Sequence, residues 1–193
     1  MLQLGCVVMA AGNARRFGEN KLASSVGGRS LILRALEAVP AELFETVVVV
    51  TQYPEIMRLA AQFHFAAVCN QRPDEGISHT IALGLTGLRD CDGVLFLVSD
   101  QPLLRRQSVA AVVEQWKQQP TMIAALSHGG VRGNPCLFPA RFFPELLKLT
   151  EDHGGNSVIR MHEDALTLVE TNDPTELSDV DTPAALEVLR EKL

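Results

Sequence analysis

Cys6-Val7-Val8-Met9-Ala10-Ala11-Gly12-Asn13-Ala14-Arg15-Arg16-Phe17-Gly18-Glu19-Asn20-Lys21 carries the chain out of an apolar run and into a loop of small and basic residues. The run from Leu4 to Met9 reads as a parallel strand buried on both faces. At its end Ala10, Ala11 and Gly12 let a ligand approach the backbone with little Cβ obstruction. Bare amides there, with the fixed charges of Arg16 and Lys21, make a site suited to a polyphosphate. An ordinary strand-to-helix loop with surface cations is the alternative reading.

Two common phosphate patterns fail against this loop. A G-x-x-x-x-G-K-[ST] loop would need Lys-Ser or Lys-Thr after its second glycine, but Gly18 is followed by Glu19 and Lys21 by Leu22. The dinucleotide fingerprint G-x-G-x-x-G is also missing, because Gly12 is followed by Asn13 and Ala14. A dinucleotide-dependent oxidoreductase is disfavoured on that ground.

Apolar runs alternate with helical spacing along the 193 residues, which predicts a mainly parallel α/β sheet in a single domain over 1–193. Thr46–Val50 and Ala66–Cys69 read as strands, with a helix from Tyr53 to Phe63 between them. Ser30 is placed to cap a helix through Val39. Asn70–Gly76 reads as a loop that opens, at Ser78, a helix running to about Leu88. Gly93–Val98 is a further strand, ending at Ser99-Asp100-Gln101-Pro102. Asp100 there lies on the edge where open α/β sheets bind ligands, or else caps the next turn. A phosphate-type loop nearby favours the first role, since triphosphate chemistry uses a carboxylate-held divalent metal.

Beyond a helix from Ser108 to Lys117, a strand over Thr121–Leu126 meets a polar, glycine-rich turn from Ser127 to Pro135. Cys136–Phe138 then reads as a strand, Arg141–Thr150 and Val158–Met161 as helices, and Leu166–Glu170 as a strand. The last helix starts at Pro183, where proline suits the first turn.

The formal net charge of −6 disfavours a nucleic-acid surface, and positive charge gathers at Arg15, Arg16, Lys21 and Arg29. No apolar run reaches the roughly 18 residues of a membrane span. The N-terminal run lacks a basic flank and breaks at Gly12, so no secretory signal is expected. Cys6, Cys69, Cys91 and Cys136 are scattered singly, as small buried hydrophobes of a cytoplasmic protein. The histidines His64, His79, His128, His153 and His162 show no ligand spacing.

Four segments share one order along the chain: A-A-G-x(3)-R-x-G-x-x-K (Ala10–Lys21), S-D-Q-P (Ser99–Pro102), R-G-N-P (Arg132–Pro135) and D-V-D-T-P (Asp179–Pro183). With them the chain resembles the molybdenum cofactor nucleotidyltransferases, and the cytidylyltransferase branch in particular. The A-A-G form, where the guanylyltransferase branch has A-G-G, favours CTP over GTP. The resemblance implies a Rossmann-like three-layer α/β/α fold of the nucleotide-diphospho-sugar transferase type. It also implies transfer of CMP from CTP to the terminal phosphate of molybdopterin, with Mg²⁺ as cofactor and pyrophosphate as the leaving group.

Carried over by position, Ala10, Ala11, Gly12 and Gly18 would line the nucleotide. Arg16 and Lys21 would neutralise its triphosphate, and Asn70, Gly76 and Ser78 would lie near base and ribose. Asp100 and Asp181 would hold the metal, with Asp179 a weaker choice on the same face. Gly133, Asn134 and Pro135 would border the acceptor pocket. A molybdoenzyme receiving the product is the implied protein partner. The chain departs from the pattern at Ala14, where serine is usual, at Asp152–Asn156, and at Ala184-Ala185 in place of an acidic pair. Rival expectations are a GTP-dependent enzyme of the same cofactor, a transferase for another small phosphorylated acceptor, and a nucleotide-binding chaperone without turnover.

Overall fold

The computed structural model of the chain describes residues 2–12 and 20–190. β1 (Leu4–Ala10) is followed by a two-stranded ribbon of β2 (Ser25–Val26) and β3 (Arg29–Ser30), which turns on Gly27-Gly28. Then come α1 (Leu31–Glu37), β4 (Thr46–Thr51), α2 (Pro54–Gln62), β5 (Ala66–Cys69) and α3 (Ile77–Thr86). β6 (Gly93–Val98), α4 (Arg106–Gln118) and the hairpin of β7 (Ile123–His128) with β8 (Val131–Pro139) complete the middle of the chain. The short helices α5 (Phe143–Leu146) and α6 (Gly155–Met161), strand β9 (Leu166–Glu170) and helix α7 (Pro183–Arg190) close it.

Among the described residues seven strands form one sheet in the order β5-β4-β1-β6-β8-β7-β9. β8 runs antiparallel to both its neighbours, while every other pairing in that sheet is parallel. The solid apolar runs of β1 and β6 are explained by position: each has neighbours on both sides and helices over both faces. Alternate residues serve opposite layers. Cys6, Val8, Leu95 and Leu97 pack with Leu31, Leu36, Val109 and Trp116 under α1 and α4. Val7, Val94 and Phe96 pack with Ile81, Leu85, Val158 and Ile159 under α3 and α6. The expected mostly parallel three-layer α/β/α arrangement is therefore the observed one. No helix among the described residues is long and apolar enough to cross a membrane.

Ser30 caps α1 as its position suggests, its Oγ accepting from the Leu33 amide at 3.3 Å. Three expectations need correction. The turn expected over Ser127–Pro135 is only Gly129-Gly130, whose φ values of 56° and 78° fit a tight hairpin, and β8 already starts at Val131. The helix expected over Arg141–Thr150 is a 3₁₀ turn running into α5 and stops at Leu146, before Glu151 turns left-handed at φ 54°. The cysteines are free as expected, but only three are buried; Cys69, at the end of edge strand β5, is exposed.

α3 lies unusually close to the sheet, and this sets where its N-terminus meets the carboxyl edge. A Cβ built on Gly84 would stand 2.5 Å from a Val7 methyl, and Val7 is fully buried in the central strand. Gly84→Ala is therefore expected to lower unfolding free energy by about 1–3 kcal/mol through overpacking, despite alanine's better helix propensity. Urea unfolding checks this, and an unchanged or higher midpoint would contradict the close packing.

Candidate functional site

The parallel strands bring several loops to one edge: Ala11-Gly12 after β1, Asn70 after β5, and Ser99-Asp100 after β6. Lys21 opens a 3₁₀ turn over Lys21–Ala23, capped by Asn20, whose side chain accepts from the Leu22 amide. From there its ammonium donates to Asp100 Oδ2 at 2.9 Å, to Asp181 Oδ1 at 3.3 Å and to the Val180 carbonyl at 3.1 Å. Asp100 is held in turn. Ser99 Oγ donates to the Met9 carbonyl at 2.8 Å, pinning the end of β6 to the end of β1. The Val180 amide donates to the Asp100 carbonyl at 2.9 Å.

Asp179 and Asp181 flank that anchor with different partners. The segment is not a strand, and Asp179 Oδ1 accepts from Gln101 Nε2 at 2.9 Å instead of meeting Lys21. Burial raises the Asp179 pKa above the usual carboxylate range, and the Asp100 and Asp181 charges add to it against the Gln101 bond and Lys21. Burial works against the Lys21 charge, but Asp100 and then Asp181 outweigh it and hold its pKa above the ordinary lysine value. The side chains of Lys21 and Asp100 are 17% and 24% exposed and that of Asp181 is 60% exposed, so Asp100 is the better-screened-from-water partner.

Other residues expected at the site are placed as follows. The Ala10 and Ala11 side chains are buried in opposite apolar layers, leaving only their backbone at the edge. Gln52 Nε2 and the Tyr53 hydroxyl hold the Ala11 and Gly12 carbonyls at 3.0 and 3.3 Å. A Cβ on Gly12 would meet nothing within 4 Å among the described residues. Asn70 is buried, with Nδ2 donating to Thr80 Oγ1 and Oδ1 accepting from the Arg72 amide. Ser78 is buried too, its amide donating to the Glu151 carbonyl at 3.1 Å. Both therefore spend hydrogen-bonding groups on the fold. Gly76, at φ 85°, crosses so close to the Glu151 backbone that a Cβ would lie 2.3 Å from it. Arg16 and Gly18 lie outside the described residues.

A cleft opens beside this edge, between α3, α6 and strands β1, β6 and β8. Ile77, Phe96 and Phe138 give it an apolar body, and Asn134 and Asn156 bring amides to it. Asn134 thus borders a pocket, whereas Gly133 packs against Leu177 and Pro135 is buried.

Sequence reasoning missed the brace behind the acidic segment. Glu176, 1% exposed, accepts from the Arg105 amide at 2.9 Å and from Thr171 Oγ1 at 2.6 Å. The Thr171 carbonyl meets His128 Nδ1 at 2.9 Å, which gives that histidine a structural task. Arg105 lies 71 residues from Glu176 and His128 lies 43 from Thr171, so no local spacing signals those two contacts. Among the described residues no group of three or more His, Cys, Asp or Glu is arranged to hold a metal ion. Asp100 and Asp181 remain a pair converging on one cation.

Residues 6–166 match the family described as the MobA-like NTP transferase domain. The chain is 28% identical to the purine catabolism protein PucB of Bacillus subtilis, over 95% of this chain and 94% of that protein. It is 32% identical to a probable molybdenum cofactor guanylyltransferase of Aquifex aeolicus, over 62% of this chain but only 56% of that one. A nucleotidyl transferase structure from Methanothermobacter superposes with a TM-score of 0.81 at 20% identity, covering 98% of this chain and 97% of its own. The family match covers more than half of the chain, and the chain belongs to the MobA-like nucleotidyltransferases.

Proposed function

We propose that the protein transfers CMP from CTP to the terminal phosphate of a molybdopterin-type acceptor, releasing pyrophosphate. The observation that carries this reading is the convergence of Asp100 and Asp181 on the Lys21 ammonium, at 2.9 and 3.3 Å, beside a loop that exposes backbone at Gly12. Two carboxylate oxygens held around one positive charge fit a hard divalent cation, and Mg²⁺ characteristically uses one or two carboxylates plus phosphate oxygens and water. Asp100 and Asp181 would hold it, and when bound it supplies charge neutralisation to the polyphosphate.

The chain's own groups do the rest. Lys21, with Arg16, offsets charge on the triphosphate, and Gly12 lets phosphate oxygens reach main-chain amides. An acceptor phosphate oxygen forms a bond to the α-phosphorus while the bond from that phosphorus to the bridging oxygen of pyrophosphate breaks. The attacking oxygen is already anionic near neutral pH, so positioning dominates over base catalysis. The cleft bordered by Asn134 offers an apolar wall for the acceptor's body. CTP is favoured by the A-A-G sequence; because the Ala11 methyl is packed into an apolar layer, it acts on base choice through the backbone. The 32% identity to a guanylyltransferase supports GTP as a second reading.

Incubation with each nucleoside triphosphate, Mg²⁺ and purified molybdopterin, with the product weighed by mass spectrometry, tests the reaction. A cytidylylated product is expected; a guanylylated one selects the second reading, and none from any nucleotide overturns both. Asp100→Asn is expected to cut turnover by about 10²-fold or more while leaving thermal unfolding cooperative. Turnover near the wild-type rate would remove Asp100 from the site.

Asp179 gives a prediction in pH. Its folded pKa is raised, so the native state binds the proton more tightly than the unfolded chain. Stability is lost as pH rises from the ordinary aspartate range through the raised value, and the penalty is complete above it. Asp179→Asn keeps an oxygen for Gln101, removes that penalty, and is expected to be the more stable protein at pH 7.5 without metal. The advantage should shrink as the pH falls towards the ordinary carboxyl range. Equal urea midpoints at pH 7.5 would contradict it.

A further inference from the structure

Arg29, Arg72, Arg105, Arg106 and Arg190 each meet a carboxylate. Arg132 is partly buried near the start of β8 and meets none among the described residues. Its guanidinium instead lies 3.7 Å from the Cys136 sulfur, which lines the cleft together with Asn134. The register with β7 shifts between the pairs Cys136–Ala125 and Arg132–Ser127, and Asn134, Cys136 and Phe138 line that cleft. Cys136 cannot balance the charge. Burial pushes its thiol pKa up, and nearby Arg132 opposes that shift without cancelling it, so the sulfur stays neutral near pH 7. A partly desolvated guanidinium with only a thiol for company among the described residues is costly unless a ligand completes it.

We infer that Arg132, with Asn134 beside it, binds the phosphate of the acceptor. This rests on the proposed phosphoryl acceptor and gives a role to the first residue of R-G-N-P, beside the three expected to border the acceptor pocket. The attacking phosphate and the triphosphate repel one another, and Lys21 is already shared between two carboxylates. A second cation on the acceptor side relieves that repulsion, and a guanidinium forks onto two phosphate oxygens where an ammonium cannot. The apolar cleft below it accepts the uncharged body of the same molecule.

Steady-state kinetics with molybdopterin as the varied substrate, at saturating CTP and Mg²⁺, tests the assignment on the whole protein. Arg132→Gln is expected to raise the acceptor KM about tenfold or more, with the CTP KM moving less than about twofold. Arg132→Lys should fall between the two, and Arg160→Gln, an exposed arginine on α6, should match wild type. An unchanged acceptor KM in Arg132→Gln, or an equal loss in Arg160→Gln, overturns the inference. Should no nucleotide be turned over at all, phenyl phosphate reads Arg132 on its own by ³¹P line broadening, with excess pyrophosphate filling the Lys21 loop. Saturable broadening by wild type that is lost in Arg132→Gln supports the anion site. Equal broadening by both proteins, or none by wild type, overturns it.

Discussion

One ammonium holds the site together. Lys21 bonds to Asp100 and Asp181, which lie 79 and 160 residues away in sequence, and to the Val180 carbonyl between them. The 3₁₀ turn at Lys21, the loop after β6 and the segment before α7 are thereby tied at a single point. The attraction is effective because Lys21 and Asp100 are mostly shielded from water, where an exposed pair would contribute little. Without that charge, two carboxylates and the neighbouring Asp179 would face one another with only hydrogen bonds to hold them. Burial is the main cause of the raised Asp179 pKa, and the Asp100 and Asp181 charges add to it even with Lys21 in place. An acidic cluster kept incompletely neutralised by its own protein is one prepared to accept further positive charge.

The sheet makes this possible by its direction. Because β1, β4, β5 and β6 are parallel, their carboxyl ends and the loops they feed lie on the same edge. β8 is the exception, and its reversal matters: it delivers Arg132 and Asn134 to that edge from the start of a strand. A parallel strand in the same place would present its last residues there instead. The single antiparallel strand thus adds a wall to the cleft without another crossover helix.

What could be read in the sequence follows from how local each feature is. The β1, β4 and β6 strands were legible because burial on both faces leaves unbroken apolar runs. Lys21, Asp100 and Asp181 stood out because each sits in a short motif at a strand or helix boundary, and the structure brings those three together. The β2–β3 ribbon escaped because two-residue strands carry no periodicity. β8 was read too short because Asn134 and Pro135 are residue types of loops. Asn70 and Ser78 look like ligand donors by type, yet Asn70 holds Thr80 and the Arg72 amide, and the Ser78 amide holds Glu151. Residue type tells what a side chain can bond to, and only the fold tells what it does bond to. Glu176 was invisible for the same reason, its partners being Thr171 and the distant Arg105 amide.

The crossing of Gly76 over Glu151 joins the two halves of the site through backbone alone. Both residues have left-handed φ, at 85° and 54°, and the Ser78 amide donates to the Glu151 carbonyl beneath the crossing. On one side lies the loop Asn70–Gly76; on the other, Gly154, Gly155 and Asn156 form part of the cleft wall. The separation between them is consequently fixed by main-chain contact, where a Cβ at Gly76 would lie 2.3 Å from the Glu151 backbone, and not by cleft side chains. Those side chains therefore do not set the position of the Asn70–Gly76 loop. A scaffold built this way sets the spacing between the Asn70–Gly76 loop and the start of α6 by main-chain contact, whichever side chains line the cleft.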